Sequence, residues 1–210
     1  NLIYPFYKYG HIDFFTRQLT KRPQLDKTLI ISSNNITETK GQKYIIELMK
    51  YIEFEEIDST NTYIHDHYQE LDDDTIVRAH YQTHGRGRSN HIWEADKNEQ
   101  LLFSYYMKQN IDPLKVSAIM AYAIVTVLRM KQINAFIKWP NDIYVNNQKI
   151  AGILVETIYE NTLQGIIIGT GLNVSKGSYY SLSDVIDHPI DKEKLMLNII
   201  DTFKNMLHMP

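Results

Sequence analysis

The stretch "QTHGRGRSNHIW", residues 82–93, sets Arg86 and Arg88 beside Gly85 and Gly87. Alternating glycine suits a loop and lets backbone come close to a ligand. Guanidinium groups offer forked donors that match a carboxylate or a phosphate. Taken alone, the stretch reads first as a solvated turn with two surface arginines and second as an anion-binding loop. A second group is "KWPND", residues 138–142, followed from Lys149 by "KIAGILVE". Pro140 forces an extended or turned chain after Trp139 and holds Asn141 and Asp142 at a strand tip. Both are hard oxygen donors, of the kind magnesium takes alongside water and phosphate oxygens. The intervening "DIYVNNQKI" predicts a hairpin with Asn146-Asn147 at its tip, whose closure brings Lys138 and Lys149 toward one spot. The plain alternative is a hairpin with ordinary surface lysines. In "IGTGLNV", residues 168–174, Gly169 and Gly171 bracket a strand end and Asn173 offers an amide. In "EIDSTN", residues 56–61, Ser59 or Thr60 caps a helix whose N-terminal N–H groups can meet an acceptor.

The elements that must carry these residues follow from periodicity. "KYIEFEEI", "TIVRAHYQ", "QLLFSYYM", "NAFIKWP", "IAGILVETIY" and "LQGIIIGTGLNV" predict strands of one mixed or mostly antiparallel sheet. "IVRAHYQ" and "LLFSYYM" mix apolar and polar residues as half-buried strands do. Helices are predicted at "STNTYIHDHYQ", at "DPLKVSAIMAYAIVTVLRMKQ" and at "DKEKLMLNIIDTFKNMLH". In the second, Val116, Met120, Ala123, Val127 and Met130 form one apolar stripe; in the third, Leu195, Ile199, Phe203 and Met206 do so. The fold class is α+β, a mixed, largely antiparallel sheet packed against amphipathic helices.

A chain of 210 residues can bury one sizeable core. Its net charge of -3 argues against a general nucleic-acid coat. The absence of cysteine removes disulfides, thiolate metal sites and cysteine nucleophiles, and suits a reducing cytosol. No uninterrupted apolar run reaches the roughly 18 residues of a membrane span, and the first residues lack a secretory signal pattern. The expectation is a soluble cytoplasmic protein that binds no membrane.

In this order, "EIDSTN", "GRGR" with Trp93 downstream, "KWPND", "KIAGILVE" and "IGTGLN" closely resemble the catalytic domain of biotin protein ligases, from about Glu53 to Leu207. The resemblance implies the class II aminoacyl-tRNA synthetase-like fold of biotin and lipoate ligases. It implies an enzyme that uses ATP and magnesium to convert biotin into biotinyl-5′-AMP with release of pyrophosphate. The biotinyl group would then pass to one lysine of the biotin carboxyl carrier domain of a carboxylase. A carboxylate must approach an α-phosphate, and both are negative, so the reaction calls for cations placed on both.

By matching positions, the resemblance assigns biotin to Ser59, Thr60, Asn61, Gln82, Gly85, Arg86, Arg88, Trp93, Lys149 and Gly152. It assigns the nucleotide to Arg88, Lys138, Asn141, Lys149 and Asn173, with Asn141 also at magnesium held through the phosphates. Arg86, Arg88, Lys138 and Lys149 become the catalytic cations, and Asp142 the group that orients or deprotonates the acceptor lysine. The glycine-spaced loop would close over the ligand. A lipoate or octanoate ligase and a non-catalytic biotin- or nucleotide-binding paralogue remain the alternatives. The family also implies a homodimer paired through sheet edges.

The sequence departs from the family in places. Ser89, Asn90 and His91 follow "GRGR" where a further glycine and a basic residue are usual, and the chain stops at Pro210 without the small C-terminal barrel. Residues 46–210 are therefore read as the catalytic domain without its barrel. Residues 1–45, with a weak strand signal at "TLIISS", are read as an N-terminal extension, an arm or a degenerate domain. They show no winged helix-turn-helix, so DNA binding is not expected.

Overall fold

The apolar runs assemble into one eight-stranded sheet in the computed structural model, which describes residues 27–31 and 49–208. Its strands are β1 (Lys27–Ile31), β2 (Met49–Phe54), β3 (Thr75–Ala79), β4 (Gln100–Met107), β5 (Ala135–Lys138), β6 (Asp142–Val145), β7 (Gln148–Tyr159) and β8 (Leu163–Asn173). The α-helices are α1 (Thr60–His67), α2 (Pro113–Met130) and α3 (Lys192–Leu207). Across the sheet the order is β1-β2-β3-β4-β8-β7-β6-β5. Among the described strands only β2 and β3 run parallel. Parallel neighbours need a crossover, and α1 supplies it. The α+β, largely antiparallel sheet expected from the sequence is what forms. Apart from β1, the reading of residues 1–45 falls outside the described residues.

Helices lie on both faces. α2 and α3 cover Phe103, Tyr105, Ile153 and Ile168 on one side, while α1 covers Phe54, Val77, Tyr106 and Ile167 on the other. Ile76 and Val77 belong to opposite cores, as the two-residue period of a strand dictates. This corrects the half-buried reading for "IVRA" and "LLFSYYM", because every residue of β3 and β4 is buried, while His80, Tyr81 and Gln82 past the end of β3 are half-buried. With no wet face available, the charged residue there is paired. Arg78 donates to the Tyr51 hydroxyl at 3.3 Å and meets Glu53 at 3.2 Å. Burial pushes the Tyr51 phenol well above its ordinary value.

Ser59 caps α1, its hydroxyl accepting from Thr62 N at 3.5 Å, and Asp112 caps α2, accepting from Leu114 N at 2.9 Å. By length and composition α2 could cross a membrane, yet Val116, Met120, Ile124 and Leu128 are buried in the core beside α3, the place of a core helix. Its predicted stripe stops short, for Met130 is 70% exposed and Ile133, just past the helix, fills the core instead.

The turn before β3 is tied to α3 through Asp74, whose carboxylate accepts from the Tyr105 hydroxyl and from Lys204 Nζ, the latter at 2.6 Å. Both side chains of the ion pair are mostly buried, and Asp74 sits at φ 59. Asp74→Ala is expected to cost about 2–4 kcal/mol, from the loss of the Lys204 ion pair and the Tyr105 hydrogen bond, with a Cβ still held at positive φ. The denaturant midpoint should fall at unchanged slope. Asp74→Gly, which relieves the backbone alone, should recover only the smaller part.

Candidate active site

Glycines facing each other make the floor of a cavity of about 420 Å³ between the start of α1, strands β7 and β8, the loop 85–93 and the turn before β6. Gly152 of β7 and Gly171 of β8 are cross-strand partners. The Trp93 indole lies on the bare backbone they leave. A Cβ on Gly171 would come within 2.4 Å of Trp93 Cε2, and one on Gly152 within 2.9 Å of Cζ3. Gly169 pairs with Ser104 of β4, and its missing side chain admits Asn61.

Around Asn61 runs a neutral polar network. Gln82 Oε1 accepts from Thr60 N at 2.7 Å, the Thr60 and Ser104 hydroxyls lie 2.6 Å apart, and Ser104 donates to Asn61 Oδ1 at 2.5 Å. Ser104 spends its one proton on Asn61, and Thr60 Oγ1 lies within donating reach of both Ser104 Oγ and, at 3.0 Å, Gln82 Oε1. Asn61 Nδ2 then donates to Glu156 Oε2 at 2.7 Å. Two further cavity groups, Trp93 Nε1 and Thr170 Oγ1, are buried with no hydrogen-bond partner among the described residues. Buried polar atoms in native folds are paired, so two orphans on one cavity mark where a ligand's polar atoms belong.

Loop 85–93 is a small self-bonded hairpin. Trp93 N donates to Gly85 O at 2.9 Å, Gly87 N to His91 O at 2.7 Å, and Arg86 bridges Ile92. Arg86 Nη2 donates to Glu156 Oε2 at 2.7 Å, and Arg88 Nη1 to Asn141 Oδ1 at 3.1 Å. Asn141 Nδ2 in turn donates to Ile153 O at 3.1 Å, which ties the loop through the "KWPND" turn to β7. Lys149 Nζ lies 2.9 Å from Asp142 Oδ1 and 5.5 Å from the centre of the Trp93 ring. The Lys149–Asp142 contact is an ion pair without hydrogen-bond alignment, so the buried Asp142 Oδ1 keeps capacity for another donor.

Ser59, Thr60, Asn61, Gln82, Arg86, Arg88, Trp93, Asn141, Asp142, Lys149 and Gly152 all line this one cavity. Three residues singled out in the sequence do not. Gly85 is buried under Trp93 O, which an added Cβ would approach to 2.3 Å, so its part is to let the hairpin close. Lys138 stands on β5, the outermost strand, one strand further from the cavity than Asp142. It folds onto Tyr144, 3.3 Å from the hydroxyl and 5.0 Å from the ring centre. Asn173, the last residue of β8, donates to Tyr180 O at 3.0 Å and holds the following loop. Sequence reasoning misses Ser104, Thr170 and Glu156. Ser104 is the hydroxyl inside "LLFSYYM" and Glu156 ends "KIAGILVE", but only strand pairing shows which face each takes.

A neutral polar pocket opening toward three cations suits a ligand with an uncharged polar head and an anionic tail. Residues 53–173 match the Biotin/lipoate A/B protein ligase family, and the chain belongs to that family. It is 35% identical over 124 residues to the Bifunctional ligase/repressor BirA of Escherichia coli, covering 57% of this chain and 39% of that protein. It is 30% identical over 187 residues to the Biotin--protein ligase of Schizosaccharomyces pombe, covering 70% of this chain and 29% of that protein. The chain thus spans less than half the length of these curated relatives. Its fold is similar to that of a biotin protein ligase from Aquifex aeolicus solved in complex with biotin and ATP. The TM-score is 0.65 at 22% identity, over 74% of this chain and 68% of that one.

Proposed function

We propose that this chain is the catalytic part of an ATP-dependent biotin protein ligase. The observation that carries the reading is the polarity of the cavity. Thr60, Gln82 and Asn61, backed by the buried Ser104, form a neutral hydrogen-bonding end, and Arg86, Arg88 and Lys149 border the rest. A ureido ring offers two N–H donors and one carbonyl without charge, which suits the first; a carboxylate beside an α-phosphate suits the second. Lipoate, the other acid in the family's name, ends in a dithiolane that would leave buried polar groups unpaired, at about 1–3 kcal/mol each.

In the first step a biotin carboxylate oxygen attacks the α-phosphorus of ATP, the bond to the β-phosphate breaks and pyrophosphate leaves. The acid is already ionised at neutral pH, so no base is needed. Arg88 and Lys149 relieve the repulsion between the two anions, and the 85–93 hairpin keeps water from the mixed anhydride. In the second step the neutral amine of a carrier-domain lysine attacks the acyl carbon and AMP leaves with the bonding pair. Asp142 orients the amine or takes its proton. Magnesium would supply further neutralisation of phosphate charge. Among the described residues no group of three or more His, Asp or Glu is placed to hold an ion. The fit is therefore to a cation brought by the phosphates, with Asn141 Oδ1 as a protein oxygen on offer and Arg88 competing for it. Use of ATP and a cysteine-free chain suit a cytoplasmic setting.

Pyrophosphate exchange into ATP, run with magnesium and either biotin or lipoate, tests the reading. Exchange should depend on biotin; exchange with lipoate alone, or with neither acid, overturns it. Arg88→Ala, which cuts the tie between hairpin and Asn141, is expected to release biotinyl-AMP about tenfold faster. Retention equal to that of the unaltered protein, followed by rapid gel filtration, would remove Arg88 from the lid.

A further inference from the structure

Glu156 takes part in no step of the proposed reaction, yet it decides which way one amide of the cavity faces. The two-residue period of β7 puts Gly152, Leu154 and Glu156 on the face that Asn61 approaches. There Glu156 Oε2 accepts from Asn61 Nδ2 at 2.7 Å. An ionised carboxylate has no proton to give, so only the nitrogen end of an amide can turn toward it. The oxygen end is sent the other way, and Asn61 Oδ1 lies 2.5 Å from Ser104 Oγ. Ser104 alone could not make that choice, because a hydroxyl both donates and accepts and would take either end. Arg86 also donates to Oε2 at 2.7 Å, but a guanidinium only donates and does not touch the amide.

The choice propagates along the network. With its proton committed to Asn61, Ser104 presents only lone pairs to Thr60 Oγ1, 2.6 Å away. Thr60 must then give its own proton to Ser104 or to Gln82 Oε1, and its oxygen keeps capacity to accept. Asn61 Nδ2 keeps a second N–H. Asn61, Thr60 and Ser104 are all buried, and in such surroundings a wrongly directed group is costly. We propose that Glu156 is a positioning residue that sets specificity for the head group. By accepting from Asn61 it fixes the donors and acceptors of the neutral end to suit a cyclic urea, an N–H for the ureido oxygen and a hydroxyl lone pair for a ureido N–H. The direction of Asn61 follows from its partners alone; the match to the urea rests on the ligase reading.

Glu156→Gln keeps the shape of the side chain and removes the choice, because a glutamine amide can meet Asn61 with either end. In magnetic resonance spectra of the unaltered protein, one Asn61 side-chain N–H should lie downfield, as a proton held by a carboxylate does, and exchange slowly with solvent. In Glu156→Gln that shift should vanish and the exchange should quicken about tenfold, while Arg86→Ala should keep the shift. An unmoved Asn61 signal in Glu156→Gln, or one lost as fully in Arg86→Ala, overturns the positioning role. In pyrophosphate exchange, Glu156→Gln should raise KM for biotin about tenfold and leave KM for ATP within about twofold. Desthiobiotin, which keeps the urea and lacks the sulfur ring, should lose as much as biotin, since the loss belongs to the head group. Equal rises for biotin and ATP, or a loss that desthiobiotin does not share, overturn the specificity role. The spectra need no biotin, so they decide the direction of Asn61 even if the unaltered protein failed to use that acid, a result that would overturn the ligase reading alone.

Discussion

Lys149→Ala is expected to lower biotin-dependent pyrophosphate exchange by about 10²–10³-fold, mainly in kcat. The lysine is fixed rather than merely present. Its Nζ stands between Asp142 Oδ1 at 2.9 Å and the Trp93 ring at 5.5 Å, and Trp93 itself rests on Gly152 and Gly171. A charge already in place costs no reorganisation when negative charge gathers in the transition state. Removing it does a second harm, for it leaves the Asp142 carboxylate uncompensated beside two reacting anions. Lys149→Ala/Asp142→Asn should therefore regain part of the exchange while staying defective in transfer to an acceptor amine. Lys149→Arg should recover little. The slot beside Gly152, whose built Cβ lies 3.5 Å from Lys149 Nζ, suits a slender ammonium better than a planar fork. Exchange within about threefold of the unaltered protein in Lys149→Ala would take the lysine out of the chemistry.

The pairing of the three cations distinguishes their parts. Arg86 faces the Glu156 carboxylate and Lys149 faces the Asp142 carboxylate, whereas Arg88 meets only the neutral amide of Asn141 among the described residues. Arg86 and Lys149 are thus held firmly but partly neutralised, as geometry-setting cations are. Arg88 contributes an uncompensated charge, and it sits near the tip of the hairpin. In the proposed reaction, net positive charge for the reacting groups and a cover against water would thus come from the same loop.

How much of this the sequence discloses depends on range. Local chemistry is legible. Asn146 and Asn147 take φ of 49° and 63°, as an Asn-Asn hairpin tip requires, and Ser59 and Asp112 cap their helices. Burial is misread where it depends on a third layer, because nothing within "TIVRA" reveals that helices cover both of its faces. The same limit explains Lys138. Hairpin closure is a local prediction and it occurs, but which strand ends as the sheet's edge is a long-range outcome, and that places Lys138 on Tyr144 instead of in the cavity. Glu156 and Ser104 lie 52 residues apart in sequence (156 less 104) and meet only through Asn61. No spacing rule within either strand could join them.

Gly169→Ala carries the second large expected effect, and it tests whether the floor of the cavity and the network beside it are one construction. Gly169 is the cross-strand partner of Ser104, and an added Cβ would lie 2.3 Å from Asn61 Oδ1, 2.9 Å from its Cγ and 3.0 Å from its Nδ2. Asn61 is only 3% exposed and bound at both ends of its amide, so it cannot swing aside cheaply. Displacing it breaks the bonds to Ser104 and Glu156 and strands a hydroxyl in the interior, at a cost of about 2–4 kcal/mol. For a domain of this size that corresponds to a fall in melting temperature of about 5–15 °C. Biotin affinity should drop with it, by about a hundredfold, since the polar end of the cavity loses its geometry. Asn61→Ala/Gly169→Ala removes the clash and should restore part of the melting temperature but none of the affinity. That split assigns the stability loss to overpacking and the binding loss to the amide. If Gly169→Ala melts and binds biotin as the unaltered protein does, Asn61 moves freely and the network it anchors does not shape the pocket.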